Sequence, residues 1–358
     1  MDNGPECRRG TLALAVVAML ISPGFTLTAC AGRPSVPASE IEPAELPRVL
    51  SVEDVSPQAV NGSPSAAMLR SEAGPVIARV QILLDRAHFS PGVIDGRANK
   101  NTALALRWFQ KSRDLPATSS IDSDTYARLL AVAGPAPAVI QIAVDAEALE
   151  GPFVILPKSV YDQARLDCLC YASLTEKLAE RFHTSLEMMR KFNPGVGFAA
   201  LRAGDRIWVP AVETAIPAPP RPVSRIVVSK TGSYVQALAA DGSIVYHFPS
   251  TLGSKYDPSP RGDFRVTGVA RNPTFRYDPT LFADVPDSKP KAKLPPGPNS
   301  PVGKVWIALS KAHVGIHGTP TPETIGSASS HGCVRLTNWD ALKLARSASS
   351  GMRVQFIQ

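Results

Sequence analysis

The sequence is short of cysteine, of charge and of long apolar runs. Five cysteines in 358 residues fit poorly as a disulfide framework. The one apolar run near the N-terminus, residues 12–21, is too short to span a bilayer. No Gly-x-y period occurs, which excludes collagen. No run of five or more Lys or Arg occurs in residues 223–358, which speaks against a nucleic-acid-binding tail. Charged residues make up 19% and apolar residues 44%, so the chain is not wholly disordered. Its length predicts two or three domains. What is abundant is proline, at 34 residues about twice the usual share, which belongs in linkers and loops.

The net charge of +7 is unevenly placed. Residues 1–222 hold 22 basic and 23 acidic residues, whereas residues 223–358 hold 16 and 8. The basic excess therefore belongs to the last third alone, and it predicts an anionic partner there. Arg8 and Arg9 precede the apolar run, the arrangement of an export signal. Leu27-Thr28-Ala29-Cys30 follows and resembles the lipobox of bacterial lipoproteins. That resemblance implies lipidation at Cys30, and Ala31 after it implies sorting to the outer membrane. An ordinary cleaved signal is the alternative, and both readings export the protein.

Residues 31–72 are rich in Pro, Ser, Ala and Glu without an apolar period, and read as a disordered tether. Residues 73–132 read as three helices. Val76, Val80, Leu83 and Leu84 have helical spacing, Ser90-Pro91-Gly92 breaks the first helix, and Asp122 caps the third with Ile121 before it. Val80-Gln81-x-x-Leu84, Asp95-Gly96, Thr102, Phe109-Gln110 and Thr125-Tyr126 resemble the helical peptidoglycan-binding domain of wall enzymes. A generic three-helix bundle would need the same apolar positions. Residues 133–152 read as an Ala/Pro linker. In 153–210, helices begin at Ser173 and Thr184-Ser185, and a strand ends at Pro210. This segment is similar to a lysin motif, a small α+β glycan-binding domain, with its first strand expected between residues 161 and 171. Residues 211–222 read as a Pro-rich linker, and Cys168 and Cys170 as packed thiols or an exposed redox pair.

Residues 223–358 read as mainly β with one C-terminal helix. Strands are expected at 225–229, 306–309, 314–316 and 353–357, a hairpin turns at 240–243, and a helix spans 339–348. Residues 257–301 hold ten prolines and predict a long irregular loop. Three of the six histidines fall between residues 313 and 331. The chain reads His317-Gly318-Thr319, then Ser330-His331-Gly332-Cys333-Val334-Arg335. A thiol needs a nearby base to act as a nucleophile, and a histidine at a strand end can supply it. His317, His331 and Cys333 are equally zinc-ligand types, so a zinc site is the rival reading.

This pattern, with Thr251-Leu252-Gly253, Pro260-Arg261-Gly262-Asp263-Phe264 and the loop from Leu294 to Gly303, resembles the L,D-transpeptidase family over essentially all of 223–358. The resemblance extends to the branch that carries lysin motifs. It implies Cys333 as nucleophile, His317 as general acid/base and the Gly318 carbonyl as its orienting partner. His331 and Gly332 would shape an oxyanion pocket, and Ser330, Thr319 and Arg335 would hold substrate. The implied protein is an exported, periplasmic peptidoglycan L,D-transpeptidase anchored through its N-terminal lipid, with no cofactor and no nucleic-acid partner. The acyl acceptor stays open: a stem amine, a wall-anchored lipoprotein or water. A lipoprotein-releasing hydrolase and a non-catalytic wall anchor are the alternatives.

Overall fold

A computed structural model describes residues 54–358 apart from 217, 254–257, 282–285, 287 and 331. Cys30, the export signal, the first part of the tether and His331 therefore lie outside the described residues. None of the described helices is long and apolar enough to cross a membrane.

The first module is helical: α1 (Pro57–Asn61), α2 (Pro75–Arg86), α3 (Lys100–Lys111) and α4 (Ser123–Ala133). Asn99 and Asp122 cap α3 and α4 by accepting from the backbone N–H three residues on. Val80, Leu83, Leu84, Phe109 and Leu129 form the core. The polar residues of the motif act as staples across it. Gln81 donates to Asp95, Arg97 and Thr102, and its carbonyl oxygen accepts from the N–H groups of Asp95 and Gly96. Gln110 similarly ties α3 to Thr118, Ser119, Ser120 and Thr125. A buried amide fully partnered in this way fixes loop geometry that apolar packing alone leaves loose.

The end of the expected tether is not disordered. Residues 54–72 hold α1 and a 3-10 turn at Met68–Arg70, with Val55, Val60 and Leu69 buried. Asn61 exchanges two hydrogen bonds with the backbone of Val139, at 2.7 and 2.9 Å. These apolar residues are too widely spaced to show a period, yet each fills a site supplied by distant sequence.

The second module contains β1 (Val139–Ala143), α5 (Ala146–Leu149), α6 (Val160–Gln163), α7 (Leu174–Arg181), α8 (Leu186–Phe192) and β2 (Arg206–Pro210). Strands β1 and β2 pair antiparallel around the helices. The expected linker at 133–152 is thus corrected: it supplies the first strand, hidden among Ala and Pro. The segment 161–171, expected as that strand, instead forms α6 and a loop closed by a Cys168–Cys170 disulfide. Cys168 and Cys170, read as packed thiols or an exposed redox pair, are joined as a disulfide.

The third module has β3 (Arg225–Ser229), β4 (Tyr234–Leu238), β5 (Ile244–Pro249), β6 (Gly262–Arg271), β7 (Phe275–Tyr277), β8 (Ala292–Leu294), β9 (Val305–Leu309), β10 (Gly315–His317), β11 (Val334–Arg335), α9 (Asn338–Ser347) and β12 (Arg353–Ile357). Eight strands form one sheet in the order β11-β10-β9-β6-β12-β3-β4-β5, and β7 and β8 form a separate hairpin. Strand β6 pairs with β12 through its first half and with β9 through its second, with a register shift between Val266 and Gly268. A bulge there bends one continuous sheet. Leu344 and Ala341 of α9 join Ile226, Val235, Ile307 and Val354 in the core. The expected irregular loop at 257–301 is corrected too. It contains β6, β7 and β8, and all ten prolines fall outside those strands, where proline costs no ladder hydrogen bond.

All described residues fall in one compact unit, rather than beads on linkers. The junction is polar and buried. Asp85 of α2 meets His183 at 2.9 Å and Lys343 of α9 at 3.4 Å. Ser90 donates to Asp340 at 2.8 Å, and Trp339 stacks on His183 with centroids 5.1 Å apart. Burial pushes the Asp85 carboxyl up, but Lys343 and then His183 outweigh it and hold it below the usual range. Burial also lowers His183, against the pull of Asp85, so it donates from a neutral ring. Nearby, Phe89 and Trp108 pack against His247, which is fully buried.

Candidate active site

Strands β10 and β11 run parallel and adjacent, with Ile316 opposite Val334 and His317 opposite Arg335. Side chains alternate along a strand, so His317 and Arg335 share one face. Cys333 immediately precedes β11, two residues before Arg335, and returns to that same face. His317, Ser330, Gly332, Cys333 and Arg335 all line one cleft of about 1070 Å³.

The imidazole of His317 is buried, and its Nδ1 lies 2.7 Å from the Gly318 carbonyl oxygen. A carbonyl can only accept, so Nδ1 carries the hydrogen and Nε2 keeps its lone pair. Burial lowers the pKa of His317 to about 4, against the opposing Gly318 bond and with help from Arg335. The ring is neutral at pH 7. Trp306 of β9 stacks on it, with centroids 5.3 Å apart. Gly315 makes this possible: a Cβ there would lie 2.4 Å from the Trp306 ring. Trp306 is the residue that sequence reading missed. The signal was present, because β9 alternates and turns Trp306 to the cleft face.

The Cys333 Sγ lies 3.4 Å from the His313 carbonyl oxygen. Burial raises the thiol pKa, outweighing the Gly315 N–H and the Arg335 charge that favour thiolate. The resting pair is therefore neutral thiol and neutral imidazole. A raised thiol pKa leaves less thiolate than an ordinary cysteine at any pH below it. Alkylation of Cys333 by iodoacetamide at pH 7 is accordingly expected to be slower than that of a model thiol and to keep rising beyond pH 9. Peptide mass spectrometry against time measures it; a rate that plateaus below pH 8 contradicts this electrostatic account.

Of the other expected site residues, Ser330 spends its hydroxyl on the Cys333 carbonyl, 2.5 Å away, and so braces the turn that carries Cys333. Thr319 is buried, accepts from the Thr321 N–H within its own turn, and is not among the side chains that line the cleft. Among the described residues no three His, Cys, Asp or Glu side chains cluster to hold a metal.

The sequence matches an L,D-transpeptidase catalytic domain over residues 224–356 and a putative peptidoglycan binding domain over 73–129. It is 32% identical over 179 residues to "Putative L,D-transpeptidase YkuD" of Bacillus licheniformis, covering 50% of this chain and 90% of that one. It is 30% identical over 177 residues to the Bacillus subtilis protein of the same name, covering 49% and 89%. Among solved structures it is similar to L,D-transpeptidase 3 from Mycobacterium tuberculosis in complex with a faropenem-derived adduct. There the TM-score is 0.32 and the identity 18%, over 44% of this chain and 76% of that one.

Proposed function

This chain belongs to the L,D-transpeptidase family, and from that premise we propose that Cys333 and His317 perform a two-step acyl transfer on peptidoglycan stems. The observation that carries the reading is the tautomer of His317. Its Nδ1–H is committed to Gly318, Nε2 makes no hydrogen bond to a described residue, and the ring lines the same cleft as Cys333.

The chemistry follows from the neutral pair. Nε2 takes the thiol proton as Sγ attacks the carbonyl of the third residue of a tetrapeptide stem. The C–N bond to the terminal D-Ala breaks, and the proton on Nε2 passes to the leaving amine. A thioester remains on Cys333. A second stem's side-chain amine then attacks it, Nε2 takes the amine proton and returns it to sulfur, and the product is a 3→3 crosslink. Charge develops on the carbonyl oxygen in both steps. Backbone N–H groups around Gly332 and Cys333 serve as its donors, with Arg335 adding positive potential. The match to a peptidoglycan-binding domain sets this work at the cell wall. Lipid on Cys30 would hold the protein at a membrane, with the following residues reaching toward the wall.

The decisive measurement is muropeptide analysis after incubation with tetrapeptide-rich sacculi. Crosslinked dimers with 3→3 linkage are expected. Tripeptides alone would mean that water is the acceptor, an L,D-carboxypeptidase. An unchanged profile would sink both readings.

A further inference from the structure

The cleft is not built by the third module alone. Between α5 and α7 the second module carries an insertion, residues 150–173, and its Lys158, Val160 and Gln163 line the same cleft as Cys333. This wall is fastened in place. The Leu169 N–H donates to the Pro296 carbonyl at 2.9 Å, and the Asn299 N–H donates to the Leu169 carbonyl at 3.0 Å. Asn299 also donates from its side chain to the Cys170 carbonyl, and Tyr161 donates to the Pro290 carbonyl. The approach at Gly297 is so close that a Cβ there would lie 2.1 Å from the Leu169 oxygen. The Cys168–Cys170 disulfide brackets that contact.

The cleft's charge has one sign. Lys158 on the insertion, Arg276 on β7, Lys311 and Arg335 all line it, and among the described residues no Asp or Glu does. Lys158 and Arg276 are exposed, and no ion pair joins either to a described residue. Arg335 belongs to the nucleophile end, since its charge acts on both Cys333 and His317. The insertion packs against the β7–β8 hairpin, Tyr161 meeting Tyr277 edge-on with centroids 6.3 Å apart. A single drug-sized ligand fills roughly 300–1,000 Å³, so the cleft has room beyond the scissile bond.

We propose that Lys158 of the insertion and Arg276 of β7 form a carboxylate subsite of this cleft, by which the second module selects stems whose third residue bears a free side-chain carboxylate over stems amidated there. The proposal rests on the acyl-transfer reading for its substrate and on this cleft alone for its residues. The second module is then a specificity element of the catalytic site.

The test compares two synthetic tetrapeptide stems that differ only in a free or amidated side-chain carboxyl on the third residue. Wild-type protein is expected to prefer the carboxylate about tenfold in kcat/KM, the value of one charged hydrogen bond. Lys158→Glu with Arg276→Glu is expected to erase or reverse that preference. The acylation rate of Cys333 by a small carbapenem is expected to change less than threefold, because that ligand occupies the thiol end. Arg165→Ala, on the same insertion but outside the cleft lining, is expected to leave the preference intact. Binding of both stems to Cys333→Ala protein repeats the comparison without chemistry. A carboxylate preference that survives the double charge reversal overturns the subsite, as does an equal loss for both stems. Normal binding discrimination in Cys333→Ala with no turnover by wild type would instead count against the acyl-transfer reading and leave the subsite standing.

Discussion

Cys333→Ser protein is expected to form no carbapenem adduct and to lose turnover on stem peptides by about 10⁴-fold or more. The size of this loss follows from the neutral resting pair. In the proposed mechanism one proton moves from sulfur to Nε2 of His317, whose conjugate acid has a pKa of about 4. Sulfur tolerates that, because a thiol even when raised is far more acidic than an alcohol and its thiolate is strongly nucleophilic at small population. A serine hydroxyl in the same position offers a far less acidic proton to the same weak base. His317→Gln removes the base while keeping an amide that can still donate to Gly318, and a loss of about 10²–10⁴ is expected. Intact-mass spectrometry after carbapenem treatment reads the adduct, and release of D-Ala reads turnover. An adduct on Cys333→Ser, or turnover within tenfold of wild type, would falsify the nucleophile assignment.

The largest effect on stability is expected at the junction of the three modules. Lys343→Met removes the cation from a fully buried carboxylate, Asp85, and leaves His183 as its remaining side-chain partner. Stranding one member of a buried ion pair costs about 3–5 kcal/mol, read as a drop in the urea midpoint. Replacing both members, Asp85→Leu with Lys343→Met, is expected to recover much of that loss, because the penalty belongs to the unpaired charge rather than to the missing bond. The pH dependence has a fixed sign. The Asp85 carboxyl is depressed below its ordinary value of 3.8, so its contribution is present above about pH 4 and is lost as pH falls below it. The stability gap between wild type and Asp85→Asn should therefore close on acidification. A double variant as unstable as the single one would show that packing, not charge, governs this site.

The fold was legible where local chemistry decided it. The helices of the first module announced themselves through spacing and caps, and the hairpin through Asp241-Gly242. The match to a peptidoglycan-binding domain fits the first module, and the third is mainly β with a late helix as read. What stayed hidden depended on partners far along the chain. Strand β1 sits in Ala/Pro-rich sequence and gains its identity from β2, more than sixty residues later. Strand β6 was masked because proline density around it was read as irregularity within it. The site was partly legible for the same reason. His317 and Cys333 lie in a compact pattern, whereas Trp306 reaches His317 only across a strand pair. No motif hinted that a segment near residue 160 would line the same cleft.

Asn101, at the start of α3, donates to the Ile325 carbonyl at 2.8 Å, on the segment that leads from His317 to Cys333. With the buried junction beside it, this contact removes the slack that a tether between the first and third modules would have given. An enzyme on a loose leash samples every stem within a radius. Here the grip and the thiol are like the two jaws of a caliper. On the proposed reading, a glycan strand seated on the helical module would offer its stems to Cys333 at one fixed offset, set by the polymer's own repeat rather than by the length of a tether.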